Sequence, residues 1–121
     1  METLLIFELA GMKIEDVAGS NTSVYISVFN SDYERILSRD PEDLPLYQAT
    51  GCGPAFLSNR LSYFFDLKGP SITMDTGCSS SLVALHQACQ SLRSGESRQA
   101  IVGGTNLILD PEFMIGMSNL K

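Results

Sequence analysis

The stretch Ser71 to Glu96, "SITMDTGCSSSLVALHQACQSLRSGE", changes its hydrophobic period in mid-course. In "SITMDT", Ile72 and Met74 share one face while Thr73 and Asp75 share the other, the two-residue repeat of a strand. Beyond a Gly-Cys-Ser-Ser-Ser turn, Leu82, Leu85, Cys89 and Leu92 recur at i, i+3, i+7 and i+10. That spacing predicts a helix with one apolar stripe toward the core. Gly95 ends it, with Arg93 in the last turn, where a cation suits the helix dipole. "QAIVGGTNLIL" (Gln99 to Leu109) then reads as another apolar strand with a Gly-Gly break. Strand, helix and strand in this order imply an α/β fold.

The rest of the chain fits the same class. "VYISVF" (Val24 to Phe29) is apolar or small on both faces, the mark of a central strand in a covered sheet. "AFLSNRLSYFFDL" (Ala55 to Leu67) places Phe56, Leu57, Leu61, Phe64 and Phe65 at helical spacing, with Pro54 where a first turn tolerates it. The connection from Asn30 to Pro54 is polar, carries three of the five prolines, and leaves room for a short helix near Tyr33 to Ser38. Residues 2–10 read as the end of a buried helix stopped by Gly11, and Pro111 as the start of a last helix.

Composition removes several function classes. The 121 residues fit one small domain, and 44% hydrophobic residues suffice for a buried core. A net charge of −6 with only eight scattered basic residues argues against a nucleic-acid partner. No stretch approaches the ~20 apolar residues that span a bilayer. The opening "METLLIFELAGMKIEDV" lacks a basic leader region and is flanked by Glu2 and Glu8. Cys52, Cys78 and Cys89 are odd in number and form no CxxC pair, and the single His86 cannot complete a metal cluster with them. The expectation is a reduced, cytoplasmic protein with no metal and no membrane partner.

Cys78 stands at the seam between strand and helix. The first helical turn leaves backbone N–H groups unpaired and carries the positive end of the dipole, both of which favour a thiolate over a thiol. The same N–H groups can stabilise an oxyanion formed when that sulfur attacks a carbonyl. Gly77 permits a tight turn and removes a side chain beside the sulfur. Such a cysteine suits a covalent acyl carrier. On position alone, an inert apolar cysteine is the commoner case. Cys89 falls on the core stripe and Cys52 lies between two glycines in a loop, so packing accounts for both. His86 lies eight residues beyond Cys78, about 12 Å of helical rise, too far to act as its base. Ser79 to Ser81 suit capping, and no G-x-S-x-G elbow is present.

"GPSITMDTGCSSSLVALHQACQSLRSGE" closely resembles the active-cysteine segment of type I polyketide synthase ketosynthases, with Gly77 in the alanine position of the familiar D-T-A-C-S-S-S-L. Related fatty-acid synthases carry a looser version. "VAGSNTSVYISVFNSDY", "NRLSYFFDLKGPS" and "AIVGGTNLIL" look like the same β-ketoacyl synthase family, in the right order, so the resemblance runs from about Ile14 to Lys121. Its style is closest to the fungal iterative reducing type. The resemblance implies a partial thiolase-like fold over residues 1–121, lacking the family's first strand and its C-terminal half. It implies that Cys78 is the nucleophile and that its backbone N–H is half of the oxyanion hole. The cysteine would take an acyl chain from a carrier-protein thioester for decarboxylative Claisen condensation with a malonyl-type extender. Acyl and malonyl groups would arrive on carrier-protein phosphopantetheine, with no separate cofactor, and the full enzyme would be a homodimer.

The sequence also departs from the family pattern. The two catalytic histidines of the family have no counterpart here, Ser27 replaces a common glycine, and Cys52 and Pro54 are unusual in their loop. A chain of this extent is expected to be marginally stable or self-associating, and inactive in condensation. A non-catalytic binding or dimerisation module is the alternative, with Phe64 and Phe65 either as contact anchors or as core residues.

Overall fold

The computed structural model describes residues 2–120. Three parallel strands form its sheet: β1 (Thr22–Val28), β2 (Ser71–Met74) and β3 (Gln99–Thr105), in the order β2-β1-β3. β1 is central. It pairs with β2 from Val24↔Ser71 to Ser27↔Met74 and with β3 from Thr22↔Gln99 to Val28↔Thr105. Burial of its first six residues explains why its sequence is apolar or small on both faces. Among the described residues seven helices accompany the sheet: α1 (Glu2–Leu9), α2 (Ile14–Val17), α3 (Asp32–Leu37), α4 (Gln48–Cys52), α5 (Ala55–Phe64), α6 (Ser80–Ser94) and α7 (Pro111–Ser118).

Alternation along β1 divides the core. Val24 and Ile26 point to one face, where they meet Phe7, Val17, Phe65 and Leu67. Tyr25 points to the other, where it meets Ala84 and Ala88 of α6, with Met74, Ala100 and Val102 alongside. Hydroxyls tie the layers together. The backbone N–H of Ser58 in α5 donates to Thr73 Oγ1 of β2 (3.2 Å), which in turn donates to Ser58 Oγ (2.9 Å). On the α6 side, buried Ser97 links Ser23 of β1 (3.0 Å) to Ser91 of α6 (2.9 Å).

The expected leucine stripe of α6 does not face the sheet. Leu82, Leu85 and Leu92 are 71%, 49% and 43% exposed, and Cys89 is half-buried. Ser80, Ala84, Ala88 and Ser91 make the contact instead. Their spacing of four, four and three is equally helical, and their small side chains let the helix axis lie close over the strands. The apolar period was read correctly, but the face that packs is the one with the least bulk.

Several boundaries also differ. The last strand ends at Thr105, so residues 106–109 are a loop rather than its continuation. Cys52 closes the short helix α4 rather than sitting in a loop. In α1, Phe7 is buried but Leu5, Ile6 and Leu9 are exposed, so this is not a buried helix. Phe64 and Phe65 divide the two roles between them: Phe65 is core and Phe64 is 71% exposed. No helix among the described residues is long and apolar enough to cross a membrane.

Candidate active site

Cys78 lies between the end of β2 and the start of α6, with its side chain exposed. The turn that holds it is built locally. Gly77 has φ +68°, a left-handed conformation that an L side chain would strain, and its N–H donates to Asp75 Oδ1 (2.8 Å). Ser80 Oγ accepts from the Thr76 N–H (2.7 Å) and donates to the Gly77 carbonyl (2.6 Å). Ser79 Oγ donates to the Thr76 carbonyl (2.9 Å). The serines expected to cap the helix therefore brace the preceding turn, and Ser79 at the N-cap makes no side-chain cap bond. The outcome is still a cysteine fixed one residue before the N-cap of a fifteen-residue helix.

A cavity of about 570 Å³ opens at Cys78, walled by residues 27–29, 77–78, 80–81 and 104–106. Gly104 is the wall that sequence reasoning missed. A Cβ there would stand 2.9 Å from Ser27 Oγ and 3.2 Å from Ser81 Cβ, so glycine lets the start of α6 lie close against β3 beside Cys78. The signal was present as a Gly-Gly break within an apolar strand, which marks close approach of another element. A second cavity of about 340 Å³ shares Val28, Phe29 and Thr105 with the first and continues past Cys52, Leu57 and Leu107.

The other candidates are dispersed. Cys52 lines the second cavity and not the first. Cys89 is midway along α6, and all three cysteines are free. His86 is exposed on α6 and lines neither cavity. Among the described residues no group of three or more His, Cys, Asp or Glu side chains could hold a metal ion.

One buried carboxylate escaped the sequence reading. Asp32, in the first turn of α3, has a fully buried side chain. Its Oδ2 accepts from the backbone N–H groups of Leu109 (3.0 Å) and Asp110 (3.1 Å), and its Oδ1 pairs with Arg35. Burial works to raise its pKa, but the Leu109 N–H, the Arg35 guanidinium and the Asp110 N–H outweigh it and hold the value down to about 2.

The profile of the β-ketoacyl synthase N-terminal domain matches residues 3–121. The chain belongs to that family. Its fold is accordingly the thiolase-like fold of ketosynthases, in mixed α/β form around a parallel sheet. A highly reducing polyketide synthase from Fusarium pseudograminearum is 58% identical over 115 residues, which are 95% of this chain and 4% of that protein. A hybrid PKS-NRPS synthetase from Emericella nidulans is 60% identical over 113 residues, 93% of this chain and 3% of that protein. Among solved structures, the ketosynthase from module 6 of the bacillaene synthase of Bacillus subtilis superposes with a TM-score of 0.79 at 36% identity, covering 93% of this chain and 18% of that one. An oxazolomycin ketosynthase domain from Streptomyces albus gives 0.78 at 34% identity, covering 93% and 20%. The β-ketoacyl synthase reading made from the motif around Cys78 therefore holds along almost the whole chain.

Proposed function

We propose that Cys78 is the acyl-accepting nucleophile of a polyketide-forming ketosynthase. The observation that carries this reading is the exposed thiol on a left-handed glycine turn at the head of α6, facing an open cavity. The sulfur attacks the carbonyl of an acyl thioester, a new C–S bond forms, and the carrier thiol leaves with the proton that Cys78 gave up. The Cys78 backbone N–H, at the positive end of α6, supplies half of the oxyanion hole during that attack. On this reading acyl and malonyl groups come on the phosphopantetheine arm of a carrier protein. The second half-reaction is a decarboxylative Claisen condensation with a malonyl-type extender.

Condensation needs a group that promotes decarboxylation. The one histidine, His86, is about 12 Å of helical rise from Cys78. By itself the chain takes an acyl group but makes no condensed product. Incubation with butyryl- and malonyl-carrier protein, followed by intact mass, tests both parts. The expected result is a single butyryl adduct that disappears in Cys78→Ala, with no elongated product. An adduct that survives in Cys78→Ala overturns the nucleophile assignment.

A contact surface is a second reading with its own support. Tyr63 and Phe64 at the end of α5 are 91% and 71% exposed, and α5 packs on β2, an edge strand of the sheet. Aromatic residues at such an edge suit pairing with another copy. Light scattering of the chain and of Phe64→Ser tests it: the variant should shift toward monomer, and an unchanged distribution contradicts it.

A further inference from the structure

We infer that Asp32 is a positioning residue for acyl transfer, fastening the segment after β3, which walls the Cys78 cavity, to the end of β1. The inference rests on the reading of Cys78 as nucleophile. Thr105 and Asn106 line the first cavity together with Cys78, and Leu107 lines the second. Asn106 and Leu107 lie beyond the end of β3 at Thr105, so the ladder no longer holds them. What holds them is three residues further on. The Leu109 and Asp110 N–H groups both donate to Asp32 Oδ2, across a sequence separation of 77 and 78.

Two further contacts join the same parts. Asp110 pairs with Arg39 through Oδ2 while its Oδ1 accepts from the Glu112 N–H (3.0 Å) and caps α7. Phe29 and Phe113 meet edge to face at 5.3 Å, and Phe29 itself walls both cavities. This part of the cavity wall is thus one assembly made from the ends of β1 and β3. Asp32 is its buried tie, whereas Arg39 is 60% exposed. A charge-assisted pair of backbone N–H bonds fixes geometry as well as energy. Loss of it displaces Asn106 relative to the attacked carbonyl, and misplacement by about 1 Å can cost ~100-fold in rate.

The test compares two reactions of the same thiol in the full chain. Butyryl-N-acetylcysteamine reports acyl transfer, which needs the cavity wall; iodoacetamide reports exposure of Cys78, which does not. In Asp32→Ala, butyryl transfer should fall ~100-fold while alkylation of Cys78 stays within about twofold. Asp32→Asn keeps one acceptor and the side-chain volume, so it should fall between the two. Faster alkylation of Cys52 and Cys89 in Asp32→Ala would mean general loosening and would overturn a positioning role, as would equal butyryl rates in all three chains. No butyryl transfer in the unsubstituted chain would overturn the nucleophile reading and this inference together.

Discussion

The face of α6 that carries the fold can be tested with a pair of adjacent substitutions. Ala84 is fully buried between α6 and the sheet, while Leu85 is 49% exposed. Ala84→Leu adds three carbons to a closed contact, and overpacking of that kind costs about 1–3 kcal/mol. Leu85→Ala removes a side chain that is already half in water. A fully buried Leu→Ala change costs about 2–5 kcal/mol, so roughly 1 kcal/mol or less is expected here. If the leucine stripe were the core seam, the order would reverse. Urea unfolding followed by far-UV circular dichroism is the assay, since the chain has no tryptophan. With a slope of about 1–3 kcal/mol/M, a 2 kcal/mol loss lowers the midpoint by about 1 M. A midpoint lower in Leu85→Ala than in Ala84→Leu would refute the small-residue packing.

Three other outcomes follow from single contacts. A Cβ on Gly69 would stand 2.6 Å from the carbonyl carbon and oxygen of Thr22, so Gly69→Ala must push β1 and should lower stability by about 1–3 kcal/mol or more in the same urea assay. Ser97→Ala leaves the buried Ser91 hydroxyl without its partner, while Ser23 keeps its bond to the Gln99 carbonyl, and should cost about 1–3 kcal/mol, with Ser97→Thr losing less if its hydroxyl keeps the Ser91 contact. Asp32 has its pKa depressed from 3.8 to about 2, so its contribution to stability is present above about pH 4 and is lost as pH falls toward 2. Asp32→Asn should therefore flatten the urea midpoint between pH 4 and pH 2 relative to the unsubstituted chain, and parallel acid limbs in the two proteins would contradict the assignment.

Much of this architecture was legible because it is local. The helical repeat from Leu82 and Gly95 as its stop describe backbone that hydrogen-bonds within a few residues, and the two-residue repeat of "SITMDT" is written in the strand's own side chains although its ladder partner β1 is distant in sequence. Gly95 adopts φ +76°, as a left-handed C-cap requires. The central place of β1 was legible too, since a strand buried on both faces has no polar alternation to show. What was not legible depends on distance in sequence. The packing face of α6 is chosen by how near the sheet lies, and a helical period alone fits the leucine face and the alanine face equally well. Gly104 is required by Ser27 and Ser81, which lie far from it in the chain. Asp32 reads as an ordinary acidic residue at a helix start until Leu109 and Asp110 arrive beside it. The placement of Cys78 at a strand–turn–helix seam is legible because strand, glycine turn and helix are contiguous around it.

The most direct test of the central claim is the distribution of acyl groups over the three cysteines. The chain is treated with less than one equivalent of butyryl-N-acetylcysteamine, digested, and the Cys52, Cys78 and Cys89 peptides are quantified by mass. The prediction is that Cys78 carries nearly all of the butyryl group, because it alone combines exposure, a helix N-terminus and an open cavity. Butyryl spread evenly over the three, or concentrated on Cys52 in the neighbouring cavity, would contradict it.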